Sequence, residues 1–251
     1  MNARRYGWRR PTTPHRGVRL ALSAADLDGL PAAADLREAM PEVYDQGPLG
    51  SCTGQAVGGG LAYLSRRVGV DVAPSRLALY FDGRAARGHV LEDDGAVLVD
   101  VVSAASIRGF AGEDLWPYEV ERFAASPSAA YRERALHTRL VNVEALAHDL
   151  GSLLATLAAG YPIVFGVEVF ESFERVDTGG VVPMPERDER ELGGHAMLAV
   201  GYDRESGHFL VRNSWGEDWG ARGYCWMPFD YLLDPTLCGE AFALRAVRRA
   251  T

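Results

Sequence analysis

Asp45-Gln46-Gly47-Pro48-Leu49-Gly50-Ser51-Cys52 is a glycine-rich turn that delivers a cysteine to the start of an apolar segment of helical period. Beyond it Ala56, Leu61, Leu64 and Val68 approximate one helical face, which predicts a helix from Cys52 to Val68 beginning at or next to the cysteine. A helix start carries unpaired N–H groups and roughly half a positive charge, and both favour thiolate over thiol. A nucleophile would be placed there, although a free cysteine is more often a small buried hydrophobe. The run Gly58-Gly59-Gly60 costs this helix about 1 kcal/mol per glycine relative to alanine, so something is expected to pack very close to it.

Working outward, Pro74 to Gly83 and Val97 to Gly109 carry further helical patterns, and Trp116-Pro117-Tyr118 marks a crossover. The stretch Ala124-Ala125-Ser126-Pro127-Ser128-Ala129-Ala130 reads as a loop or linker. A helix from Asp149 to Ala159 is closed by Gly160 and Pro162. Strand patterns follow at Ile163–Val169, Ala196–Tyr202, Phe209–Asn213, Gly223–Met227 and Ala241–Val247. Helices first and antiparallel strands second argue for an α+β protein of two lobes.

Two downstream segments bear on Cys52. Gly193-Gly194-His195-Ala196 puts a histidine at the mouth of an apolar strand, behind glycines that allow close backbone approach. Phe209-Leu210-Val211-Arg212-Asn213-Ser214-Trp215-Gly216-Glu217-Asp218-Trp219-Gly220 ends a strand on an asparagine followed by two tryptophans. Alone, the histidine reads as structural and the asparagine as turn chemistry. Together, in residue type, order and approximate separation, the three segments resemble the papain family of cysteine peptidases. Gln46 through Cys52 matches the family's Gln-Gly-x-x-Gly-Ser-Cys element without a gap, His195-Ala196 its His-Ala element, and Asn213 through Gly220 its Asn-Ser-Trp-Gly-x-x-Trp-Gly element. The resemblance runs from about Asp35, with the middle third loosely matched, and the short N-terminal arm resembles that of bacterial members.

That resemblance implies a two-lobed papain-like fold, with a helical lobe over about 35–120, an antiparallel β-barrel-like lobe over about 121–251, and the site between them. It implies Cys52 as nucleophile, His195 as acid/base partner, Asn213 orienting the imidazole, Trp215 covering their hydrogen bond, and Gln46 with the Cys52 N–H binding the oxyanion. Gly95 takes the place of a glycine whose backbone pairs with substrate, while Gly166 and Gly194 fall where the second specificity pocket is lined and would leave it roomy. Thr53 stands where secreted members have tryptophan, and their disulfide cysteines are missing; Cys225 and Cys238 are candidate structural thiols. The implied activity is hydrolysis of peptide or amide bonds through a thioester. The same residues also suit an amidase or transacylase with an amine or thiol acceptor, or a binding protein on the same scaffold.

The remaining sequence narrows the setting. A net charge of -8 disfavours a nucleic-acid partner. The apolar runs are too short for a bilayer, and no secretory leader pattern is visible, so a cytoplasmic location is expected. Three cysteines make no disulfide framework. Glu92-Asp93-Asp94-Gly95 lacks the ligand alternation of a calcium loop, and the other histidines show no metal spacing, so neither metal nor cofactor is expected. Residues 185–191 form a mixed-charge connection ahead of His195. Residues 1–34 read as an arm or short pro-like segment. Arg4, Arg5, Arg9, Arg10, Arg16 and Arg19 should draw it onto the acidic body, with Tyr6 and Trp8 anchoring it across or beside the cleft.

Overall fold

A computed structural model of the chain describes residues 5–13, 20 and 22–249; Arg4, Arg16 and Arg19 of the arm lie outside them. In chain order the elements are α1 (Ala24–Asp28), β1 (Ala33–Asp35), α2 (Cys52–Arg67), α3 (Arg76–Ala85), α4 (Leu98–Ile107), α5 (Ala129–Ala135), β2 (Thr138–Ala145) and α6 (Leu150–Ala158). They continue with β3 (Ile163–Phe170), α7 (Glu171–Glu174), β4 (Glu191–Asp203), β5 (His208–Arg212), β6 (Tyr224–Pro228), α8 (Phe229–Leu233) and β7 (Cys238–Arg249).

α3, α5 and α6 start where side chains accept orphan N–H groups: Ser75 from Ala78 ahead of α3, Ser128 from Tyr131 ahead of α5, and Asp149 from Ser152 ahead of α6. The cap on α5 corrects the expectation of a loop over 124–130, since Ala129 and Ala130 are already helical. α2 begins at Cys52 and is buried along nearly all its length. Its glycines let the sheet come close: a Cβ on Gly60 would lie 2.5 Å from a Leu244 methyl of β7.

The strands form one antiparallel sheet in the order β2-β7-β3-β4-β5-β6, with β1 added to the far end of β4. The sheet does not close into the expected barrel-like lobe. β2 and β6 remain its outer strands, and β6 is bordered by a bridge between Val181 and Trp226 rather than by β2. Leu198, Val200, Leu210 and Leu244 share a core with Val57, Leu61 and Leu64 of α2 and Val101 of α4, while Phe165, Val167, Met197 and Phe209 pack with Leu153 and Leu157 of α6. Tyr131 and Ala135 of α5 cluster with Leu77, Ala78 and Trp116 on the helical side. α2 and the β4–β5 pair thus face each other across the cleft. Among the described residues no helix is long and apolar enough to cross a membrane.

Candidate active site

Cys52 occupies the first position of α2, so its sulfur lies among backbone N–H groups that the helix leaves unpaired. The register of β3 with β4 sets His195 opposite Val167 and Ala196 opposite Gly166, and the Ala196 N–H donates to the Cys52 sulfur at 3.4 Å. Cys52 and the residue beside His195 are therefore in contact across 143 intervening positions of chain. Asn213 follows the last residue of β5, and its Oδ1 lies 2.8 Å from His195 Nε2 while also accepting the Ser214 N–H at 2.8 Å. The second contact fixes the amide so that oxygen, the acceptor, faces the ring.

The imidazole stacks on Trp215 at 4.8 Å between ring centres and meets the edges of Phe173 and Tyr6 at 6.2 and 6.3 Å. His195 and Asn213 are buried under this aromatic cover, which keeps water from their hydrogen bond and strengthens it. Gln46 is held at several points: its N–H donates to the Ser214 carbonyl at 2.9 Å, and its carbonyl accepts the Tyr118 hydroxyl at 2.9 Å. The Ser214 hydroxyl donates to its Oε1 at 2.8 Å. That last bond turns the amide, so that Nε2 donates to the carbonyls of Leu49 at 2.8 Å and Arg5 at 3.2 Å.

Arg5 belongs to the arm, which threads the cleft. The Gly7 backbone runs beside the Cys52 thiol and lowers its pKa slightly, and the Gly7 carbonyl accepts the Ala96 N–H at 2.8 Å. Trp8 donates its N–H to the Gly194 carbonyl at 2.9 Å, and Arg9 donates to the Ala96 carbonyl at 3.0 Å. The arm passes so near the nucleophile that a Cβ on Gly7 would fall 1.7 Å from the Gly50 carbonyl oxygen. Burial pushes the Cys52 thiol up to about 11 despite the backbone groups of Ala196, Gly7, Thr53 and Cys52 itself, which lower it. With the arm in place the sulfur is mainly a neutral thiol near pH 7. Cys225 and Cys238 are buried free thiols whose pKa is also raised by burial.

The structure thus gathers Cys52, His195, Asn213, Gln46 and Trp215 in one place. Gly166 and Gly194 form walls against which the Trp8 indole lies, 3% exposed; a Cβ on Gly166 would sit 2.1 Å from the indole and one on Gly194 2.3 Å from the Trp8 carbonyl oxygen. Gly95 lies alongside Gly7, but the backbone groups that pair with the arm belong to Ala96, one residue on. Sequence reasoning missed Ser214 as the group that orients Gln46, although it sits inside a quoted motif. It also missed Glu240, whose Oε2 accepts the Trp8 indole N–H at 2.9 Å and the Leu98 N–H at 3.2 Å. An acidic residue inside the apolar run of β7 was the available signal.

Comparison with known proteins matches this geometry. The family profile described as "Papain family cysteine protease" matches residues 93–239. An uncharacterized peptidase C1-like protein of Acanthamoeba polyphaga mimivirus is 33% identical over 84% of this chain and 72% of its own length. Pro-cathepsin H of Bos taurus is 29% identical over 47% of this chain, and the match spans only 35% of that protein's length. The crystal structure of xylellain, a cysteine protease from Xylella fastidiosa, superposes with a TM-score of 0.86 at 31% identity, covering 97% of this chain and 96% of that one.

Proposed function

We propose that this chain, which belongs to the papain family of cysteine peptidases, hydrolyses peptide bonds through a thioester on Cys52 and is held latent by residues 5–10 of its own arm. The observation that carries the chemistry is the Ala196 N–H on the Cys52 sulfur, which seats the head of α2 next to the His195–Asn213 pair. His195 Nε2 is engaged by Asn213, so proton exchange with the thiol falls to Nδ1. Transfer of the thiol proton to the imidazole creates the nucleophile, and the positive ring with the helix start stabilises it.

The thiolate attacks the substrate carbonyl carbon, forming the C–S bond and placing negative charge on oxygen. Gln46 Nε2 and the Cys52 N–H receive that charge; comparable donors contribute about 3–4 kcal/mol each. Collapse breaks the C–N bond, and His195 gives its proton to the departing amine. Water, deprotonated by His195, then attacks the thioester; the C–S bond breaks and the acid leaves. Asn213 is neutral, so it holds the ring without competing for its charge.

The latency reading rests on what the arm occupies. Gly7 lies against Gly50 beside the thiol, the Arg5 carbonyl takes the Gln46 donor, and Trp8 fills the pocket walled by Gly166 and Gly194. A substrate cannot enter until these residues leave. Incubation of the chain with a peptide amide, in water and with an added amine acceptor, tests the reaction. Carboxylic acid product that depends on Cys52 supports hydrolysis; an acyl-amine as the dominant product would replace it with acyl transfer.

A further inference from the structure

The edge that takes the arm's backbone and the turn that carries the nucleophile come from separate stretches of chain, 43 residues apart at Gly50 and Asp93. The three cysteines are all free, so no disulfide joins the two stretches. Hydrogen bonds through Asp93 do. This side chain, 9% exposed, accepts the Gly50 N–H on both oxygens, at 3.0 and 3.1 Å. Its Oδ1 also accepts the Tyr80 hydroxyl at 2.6 Å, and the Tyr80 oxygen accepts the Gly95 N–H at 3.2 Å. The path Gly50–Asp93–Tyr80–Gly95 thus runs from the turn, through a side chain of α3, to the cleft edge.

The path is fixed from behind. Tyr80 is fully buried, and burial with the neighbouring carboxylate raises its pKa well above the ordinary phenol value, so near neutral pH it stays a donor to Asp93. Arg84, one turn further along α3, is also buried. Its guanidinium lies over the Tyr80 ring at 4.1 Å and donates to the carbonyls of Val90 and Glu92, both at 2.9 Å. α3 therefore grips both halves of segment 90–95. With the Gly95 N–H engaged by Tyr80, it is Ala96 whose N–H and carbonyl face the cleft and pair with Gly7 and Arg9. The arm docks on the same segment, where Arg5 meets Asp93 at 3.2 Å and Arg9 meets Asp94 at 2.7 Å. Those pairs leave with the arm, whereas the bonds among Gly50, Asp93, Tyr80 and Gly95 are internal to the body and stay.

We propose that Asp93 and Tyr80 are positioning residues for the acyl transfer: they hold the Ala96 edge at one height above the Cys52 turn, so that a peptide paired to that edge presents its carbonyl carbon to the sulfur. This deepens the peptidase reading above and rests on it. Asp93 acts through Gly50 and Tyr80 through Gly95, and neither needs to touch the reacting atoms. A displacement of about 1 Å between a bound group and its nucleophile costs about a hundredfold in rate. Partial release of an edge that Arg84 still holds should cost about tenfold in kcat, with KM little changed because Ala96 still pairs with the peptide.

The test uses the full chain carrying Trp8→Ala, to which Asp93→Ala or Tyr80→Phe is added; Tyr80→Phe keeps the ring and serves alone should Asp93→Ala not fold. Each form is assayed on a peptide amide long enough to pair with Ala96 and on a small activated ester that does not reach it. Loss of folded enzyme, or a change in how often the arm is docked, alters both rates alike and leaves their ratio unmoved. The proposal expects the peptide-to-ester ratio of kcat to fall about tenfold in both variants, with KM for the peptide within about twofold of the parent's. A ratio unchanged in either folded variant, or a loss carried by KM alone, would overturn it. If the parent cuts no peptide while Cys52 still alkylates, the peptidase reading fails separately. The rate of Cys52 alkylation by a peptidyl chloromethyl ketone, divided by that with iodoacetamide, then decides: a fall of about tenfold in the variants supports positioning, and an unmoved ratio overturns it.

Discussion

Trp8→Ala should convert the chain from latent to active. The indole is 3% exposed, packs against the faces of Gly166, Gly194 and Gly239, and donates to a buried carboxylate. Truncating a tryptophan in so enclosed a setting costs about 3–5 kcal/mol. Because Trp8 belongs to a terminal arm, that loss falls on docking of the arm rather than on the body. At about 1.4 kcal/mol per decade the open-to-closed ratio rises by more than about a hundredfold. Hydrolysis of a small fluorogenic amide by the full chain should rise by the same factor until the cleft is empty most of the time. Glu240 keeps the N–H groups of Leu98 and Val99, so circular dichroism should be unchanged. A folded Trp8→Ala chain with the rate of the unaltered one would refute the reasoning, because the indole would then contribute nothing to closing the site.

Other consequences are testable with the same assay. Gly7→Val should activate comparably, since its Cβ would lie 1.7 Å from the Gly50 oxygen and the arm could not reseat; unchanged activity would count against the docked path. Higher salt should raise the activity of the unaltered chain only a few-fold, because the Arg5 and Arg9 pairs are exposed and screened while Trp8 burial is not. Alkylation of Cys52 in the unaltered chain should accelerate as pH rises towards about 11, where the buried thiol ionises, and in Trp8→Ala it should be fast at lower pH; identical profiles would show that the arm does not set the thiol's environment. Asn213→Ala should leave a partial rate, because the thiolate–imidazolium pair survives without it. A loss as complete as that of Cys52→Ala, in a folded protein, would refute a purely orienting role.

The groups that converge at the site were legible because each lies in a short local pattern: a turn ahead of a helix, a glycine pair ahead of the apolar run of β4, which starts two residues before it, and an asparagine at a strand end. Opposite charge pointed the arm towards the body, but its seat was not readable. The walls around Trp8 come from Gly166, Gly194 and Gly239 on or beside three strands, and no local period links them. β2 escaped notice because bulges at Leu140–Val143 break the two-residue alternation, and α5 because seven residues are too few to show a helical period. Barrel closure was misjudged since strand count and alternation do not determine whether the outer strands meet. Here β2 pairs with β7 alone among the strands, which leaves the sheet open.

The central claim, that Cys52 carries the acyl group, is tested most directly by intact-protein mass spectrometry of the Trp8→Ala chain quenched during turnover of an activated ester. A single acyl adduct should appear, map to the peptide containing Cys52 and disappear with time as acid product accumulates, while Cys225 and Cys238 stay unmodified. Turnover that persists in Cys52→Ala, or an adduct on any other residue with Cys52 free, would contradict the account.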